Sequence, residues 1–166
     1  MSRRSTVTNR DRPVADRTAA SGAFEVHGET IVVDTHDRIE IIDLTDRVMA
    51  VVRSVGVREG IASLFSLHTT CTVFINEFQR ALTVDIQRFL EHLAEREGDW
   101  LHNDPEHSDC DRMNADAHLR ATVLGHNLTL QVSGGEAVLG QWQRVLLAEL
   151  DGPRERTLRV QVMGIR

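Results

Sequence analysis

From Gly22 onward the chain alternates short β-rich runs with amphipathic stretches, and neither a Pro-rich linker nor an internal repeat interrupts them. This order constrains the fold more than any other feature. A doubly wound parallel sheet needs regular βαβ crossovers, whereas here helical patterns are interleaved with hairpin-like pairs of β-rich runs. The pattern predicts an α+β fold: one compact domain over residues 21–166, with antiparallel or mixed strands and about three helices.

Phe24, Val26, Ile31, Val32 and Val33 predict a hairpin turning at Gly28, followed by a short strand over 39–42. Asp43 or Thr45 then caps a helix whose stripe is Val48, Val51, Val52 and Val55. Residues 61–75 read as extended. A longer helix over 82–97 places Leu82, Ile86, Phe89, Leu90 and Leu93 on one face, and Gly98 stops it. Residues 99–112 are polar, rich in His and Asp, and predict a loop. A third helix over 114–124 turns Leu119 and Val123 to the core and ends at Gly125. The remainder reads as strands over 128–132, 142–150 and 157–163, with a turn at Gly134-Gly135. Residues 1–20 lack the apolar segment of a secretory signal and predict a disordered tail.

Composition narrows the chemistry. All 19 cationic side chains are Arg, and Tyr is absent, which excludes Schiff-base lysine chemistry, a Walker A lysine and a tyrosine general acid. Aromatics at 4% and a net charge of −6 argue against a nucleic-acid partner. No apolar run of about 18 residues exists, so no membrane span is expected. Cys71 and Cys110 match no CxxC spacing and read as reduced, buried thiols of a cytoplasmic protein. The eight histidines are left as the main groups for proton transfer or metal binding near neutral pH.

The sharpest motif is Ser66-Leu67-His68-Thr69-Thr70, followed by Asn76-Glu77. On a strand, Ser66, His68 and Thr70 point together, opposite Thr69, giving either a solvated face with a hydrogen-bonded His or a pocket for a small anion. Asp85 sits one turn before Phe89 at the expected core boundary, where a carboxylate needs an Arg or a cation. His118, beside Leu119, can face a pocket. With His68 and His102 it has the residue types of a three-ligand zinc site, although the separations lack any close metal spacing. Near the C-terminus, Gln143 and Glu149 share strand parity, while Arg154 and Arg156 either bind phosphate or pair with the acidic excess.

Taken in order, Ser66 to Thr70, Asn76-Glu77, Asp85, His102, Ala117-His118-Leu119, Leu139-Gly140-Gln141-Trp142-Gln143, Glu149 and Asp151-Gly152-Pro153-Arg154 resemble the YjbQ-like family, often labelled secondary thiamine-phosphate synthases. The resemblance implies a homotrimer with a pocket near subunit contacts. It maps the family's shared histidines onto His68, His102 and His118 as a metal or anion site, with zinc or magnesium as the implied divalent cofactor. The implied roles are His68, Glu77, Asp85 and His118 for catalysis, and Ser66, Thr69, Thr70, Asn76, Gln143, Glu149 and Arg154 for a small phosphorylated or anionic metabolite. The alternative is a non-catalytic trimer that grips the same ligand. Gln141 stands where Thr is usual, Arg120 where a basic residue is common, and the segment before Gly22 has no counterpart.

Overall fold

The computed structural model describes residues 19–166. The predicted tail over 1–20 therefore lies almost wholly outside the described residues. Among the described residues, eight strands and three α-helices form two antiparallel sheets and a helical layer.

The larger sheet has the order β1-β8-β3-β5-β6, built from β1 (Phe24–Asp34), β3 (Glu59–Ser66), β5 (Asn127–Ser133), β6 (Glu136–Ala137) and β8 (Glu155–Ile165). The smaller sheet has the order β2-β7-β4, from β2 (Glu40–Asp43), β4 (Cys71–Asn76) and β7 (Arg144–Glu149). Strand parity divides β7 between two cores. Val145 and Leu147 face the larger sheet and meet Ala62, Leu64, Leu158, Val160 and Val162. Leu146, Ala148 and Leu150 face the other way, onto helices α2 (Arg80–Leu93) and α3 (Ala115–Leu124). Helix α1 (Thr45–Ser54) adds Val48, Val51 and Val52 to the first core.

Several sequence expectations are corrected. The first β-rich run is one 11-residue strand and not a hairpin. Gly28 stays within it, paired with Gln161, and the Arg159 guanidinium lies over the space a Cβ would take. The extended run over 61–75 is broken by a turn at 67–70 into β3 and β4. Helix α2 starts and stops earlier than predicted and buries only Leu90, leaving Phe89 and Leu93 exposed. Helix α3 has the opposite face inward, with Ala117 and Ala121 against β7 and Leu119 and Val123 outside. Two alanines allow close approach to the sheet, and the other inward pair is ionic: Arg120 Nη1 lies 3.0 Å from Asp116 Oδ2, both side chains almost fully buried.

Candidate functional site: two histidines beside an arginine-rich carboxylate

The end of β7 carries two buried carboxylates, Glu149 and Asp151, in different surroundings. Glu149 Oε2 accepts from Thr35 Oγ1 (2.9 Å) and Arg156 Nε (2.6 Å). Its Oε1 accepts from Arg156 Nη2 and from the backbone N–H groups of Leu150 and Asp151. Arg156 also donates to Thr70 Oγ1 (3.0 Å), which ties the turn before β4 to β8. This is a one-to-one ion pair in the interior with every carboxylate lone pair used.

Asp151 follows after one residue, and Gly152 lets the chain pass: a Cβ there would lie 2.4 Å from Asp37 O and 2.8 Å from Glu149 Cγ. Its carboxylate is the meeting point of three arginines. Oδ2 accepts from Arg112 Nε (2.9 Å), Arg154 Nη2 (2.9 Å) and Asn114 Nδ2 (2.8 Å), while Oδ1 accepts from Arg38 Nη1 (3.2 Å). Arg38 is shared with Asp116. The Asp151 side chain is 2% exposed, but Arg112, Arg154 and Arg38 are 54%, 30% and 27% exposed, so the cationic excess faces outward.

Asn114 transmits this arrangement to the histidines. A carboxylate only accepts, so the Asn114 amide nitrogen must point at Asp151 and its Oδ1 must point away. His102 Nε2 lies 3.3 Å from that Oδ1 and is therefore the N–H donor, leaving the lone pair of neutral His102 on Nδ1. Cys110 Sγ donates to the same oxygen at 3.6 Å. The His118 ring packs edge-on against His102 with centroids 5.0 Å apart. Burial, then the neighbouring His102, lowers the His118 pKa, opposed by Asp151 and Asp116. The pair lines a cavity of about 450 Å³ walled by Trp100, Leu101 and Leu119.

The other expected residues divide between support and surface. His68 is half-buried, and its Nε2 accepts from Thr157 N–H at 2.7 Å. Burial, then Arg156, lowers its pKa against the opposing Glu149. Ser66 is buried on β3 and Thr70 is held by Arg156, whereas Thr69 is exposed. Asn76 caps its own turn by accepting from Glu77 N–H. Glu77 follows β4 in a loop, and Asp85 is exposed on α2, away from the core boundary predicted for it. Gln143 accepts from Gly140 N–H in an exposed turn, separate from buried Glu149 despite their parity. Arg154 and Arg156 both carry carboxylate partners. Cys71 is buried with its thiol pushed up to about 11 by desolvation, while Cys110 is half-buried, less enclosed than expected.

His102 and His118 meet, but His68 does not complete a metal triad: among the described residues no group of three His, Cys, Asp or Glu is placed to hold an ion. The donor set of this single chain does not fit a three-ligand metal centre. Among those residues, too, no helix is long and apolar enough to cross a membrane. Sequence reasoning missed Arg38, Arg112 and Asn114. Asp151 was visible in the Asp-Gly-Pro-Arg motif, and the Asp116/Arg120 pair in its i,i+4 spacing.

Known proteins share this arrangement of elements. A 42% identical UPF0047 protein of Methanothermobacter thermautotrophicus aligns over 144 residues, 86% of this chain and 96% of its own length. The UPF0047 protein YugU of Bacillus subtilis is 30% identical over 82% of this chain and 98% of its own. The crystal structure of a YbjQ-like protein of unknown function from Sulfolobus solfataricus matches with a TM-score of 0.80 at 36% identity, covering 86% of this chain and 99% of that one. A hypothetical protein from Aeropyrum pernix matches at a TM-score of 0.76 and 36% identity, over 83% and 98% of the two chains. The family model for UPF0047 protein YjbQ-like matches residues 29–165, and the chain belongs to that family.

Proposed function

We propose that the His102–His118 pocket takes a small phosphorylated metabolite whose anionic group is held by Arg112 and Arg154, with secondary thiamine-phosphate-synthase-like transfer as its chemistry. The observation that carries this reading is the gathering of three partly exposed arginines on one buried carboxylate, joined by Asn114 to two histidines in an apolar-walled cavity. Planar guanidinium forks suit phosphate oxygens, and the apolar walls suit an organic body. In the transfer, the thiazole nitrogen lone pair forms a bond to the pyrimidine methylene carbon. The C–O bond breaks and its electrons leave with pyrophosphate. The arginines stabilise the departing anion and the cavity aligns the reactants.

No step is assigned to zinc or magnesium, and elemental analysis of protein purified without added metal tests that expectation. The homotrimer is part of the same proposal. Its support is the outer face of the larger sheet, where Phe24, Val26, Ile61 and Phe65 are exposed. Sedimentation gives the assembly mass, and a monomer at micromolar concentration contradicts it.

The activity test mixes the pyrimidine methyl pyrophosphate with the thiazole phosphate and follows pyrophosphate release. Release that disappears in His118→Ala supports transfer. The alternative, a non-catalytic anion-binding module, is favoured by the exposed positions of Asp85 and Thr69, since neither lies in the cavity lining. Saturable binding of either compound without turnover supports that alternative.

A further inference from the structure

The chain enters helix α3 through a strained joint. Met113 has φ 52°, and it is the one residue other than glycine with a left-handed backbone among the described residues. There the Cβ of an L residue crowds the following carbonyl, so glycine or asparagine is the usual occupant. Burial of the side chain does not account for it, because Met113 is 48% exposed and belongs to neither apolar core. Its neighbours hold it instead. Arg112 Nε (2.9 Å) and Asn114 Nδ2 (2.8 Å) donate to the same oxygen, Asp151 Oδ2, and Arg112 Nη2 reaches Asp151 O at 3.5 Å. Beyond the joint, Asn114 O accepts from Ala117 N–H (3.0 Å) and His118 N–H (3.3 Å), while Ala115 N–H donates to Asn103 Oδ1 (3.0 Å).

The convergence on Asp151 explains why the left-handed backbone persists. A turn over 111–112 precedes the joint, and α3 follows it from Ala115. With a right-handed Met113 the spiral of α3 would run back through residue 112, and residues two apart on a helix point roughly 200° away from each other. Arg112 and Asn114 could not then meet on one oxygen. Local strain lasts only where the surroundings over-determine it, and here one buried carboxylate grips the residue on either side.

We propose that Met113 is a positioning residue for the anion-holding end of the pocket: its left-handed backbone sets the spacing between the Arg112 guanidinium and Asn114, the amide that orients His102. The consequence for a ligand rests on the proposed function, whereas the geometry of the joint does not. The outward side of Arg112 takes the anionic group and His102 meets the organic body, so one backbone joint fixes the distance at which a ligand must carry the two. The Met113 side chain is dispensable in this role, and its backbone conformation is not.

Met113→Gly, Met113→Asn and Met113→Val, made in the full chain, separate backbone from side chain. Glycine and asparagine adopt the left-handed region readily, whereas a β-branched residue there is an outlier. The Arg112 Nε–H and Asn114 side-chain amide resonances report the joint by NMR, and calorimetric titration of pyrophosphate reports the anion. In the Gly and Asn variants both resonances should stay at their wild-type positions, with a melting temperature equal or higher and an affinity within about twofold of wild type. In the Val variant, with the remaining amide resonances confirming the fold, both should move and pyrophosphate binding should weaken about fivefold, an arginine contact misplaced and not lost. Wild-type resonances and affinity in the Val variant would overturn the proposal. Displaced resonances in both the Gly and Asn variants overturn it whether or not the Val variant folds, and assign the role to the thioether, which shares a cleft of about 400 Å³ with Trp100. If the wild type binds no pyrophosphate, the proposed function fails, and the two resonances alone still decide what Met113 positions.

Discussion

Glu149 and Asp151 are two residues apart, both buried, yet they solve the burial of a carboxylate in opposite ways. Glu149 has one guanidinium, one hydroxyl and two backbone donors, all enclosed. Asp151 has three guanidiniums, each reaching solvent, and an amide that leads on to His102. The first arrangement fixes the joint between β4, β7 and β8. The second stores more positive charge than one carboxylate balances and presents it beside a cavity. A fully matched buried pair has nothing left for a ligand, whereas an over-matched, half-open one does.

Removing one partner of the closed pair should have the largest effect. Arg156→Ala leaves Glu149 buried without its cation, and a loss of about 3–5 kcal/mol is expected in denaturant unfolding. Arg112→Ala at the open hub should cost less than about 1 kcal/mol, because most of that side chain is in water. Equal losses would erase the distinction between the two carboxylates.

Neutralising the carboxylates sharpens the comparison. Glu149→Gln and Asp151→Asn should each destabilise by about 1–3 kcal/mol through unsatisfied or repelling partners. Inorganic phosphate should restore the melting temperature of Asp151→Asn, since an anion can enter among Arg38, Arg112 and Arg154, and should do nothing specific for Glu149→Gln. Rescue of both, or of neither, breaks the account of an open hub and a closed pair.

A smaller effect concerns pH. The folded-state pKa values of His68 and His118 are lowered, so below roughly 6.5 the unfolded chain binds protons that the folded chain resists. The stability tied to their neutral forms is present above that value and is lost as pH falls through their folded pKa values. His68 has a geometric reason as well, because protonation removes the lone pair that accepts from Thr157 N–H. Chemical denaturation between pH 7.5 and 5 should show falling stability in the wild type and a flatter profile in His68→Gln. A profile that rises on acidification contradicts the sign.

The alternation of β-rich and helical runs was enough to predict an α+β domain, because strand and helix periods are local properties. The inward face of α1 was legible too, in its Val48, Val51 and Val52 stripe, but that of α3 was not, since it depends on the partner surface. α3 reads as a Leu119/Val123 helix by hydrophobicity, but β7 presents a tightly packed row that only Ala117 and Ala121 can approach. Likewise Gly28 reads as a turn until Arg159 is placed over it. Within the site, the resemblance marked His102 and His118 together with His68, but the edge-on contact of the first two appears only in the fold. The exclusion of His68 was not legible either, because its nitrogen is taken by a backbone N–H 89 positions away. Asn114 and Arg112 carry no sequence signal of their own; their role appears only when Asp151 folds back onto them across 37 and 39 residues.

The central claim, that the arginines on Asp151 form the anion-holding end of the histidine pocket, is tested most directly by calorimetric titration of pyrophosphate. Wild-type protein is compared with the Arg112→Gln/Arg154→Gln double variant, both confirmed as folded by thermal unfolding. Saturable binding in the wild type, weakened at least about tenfold in the double variant, corresponds to about 1.4 kcal/mol or more and is the predicted result. Absence of binding in the wild type, or equal affinity in the two proteins, would contradict it.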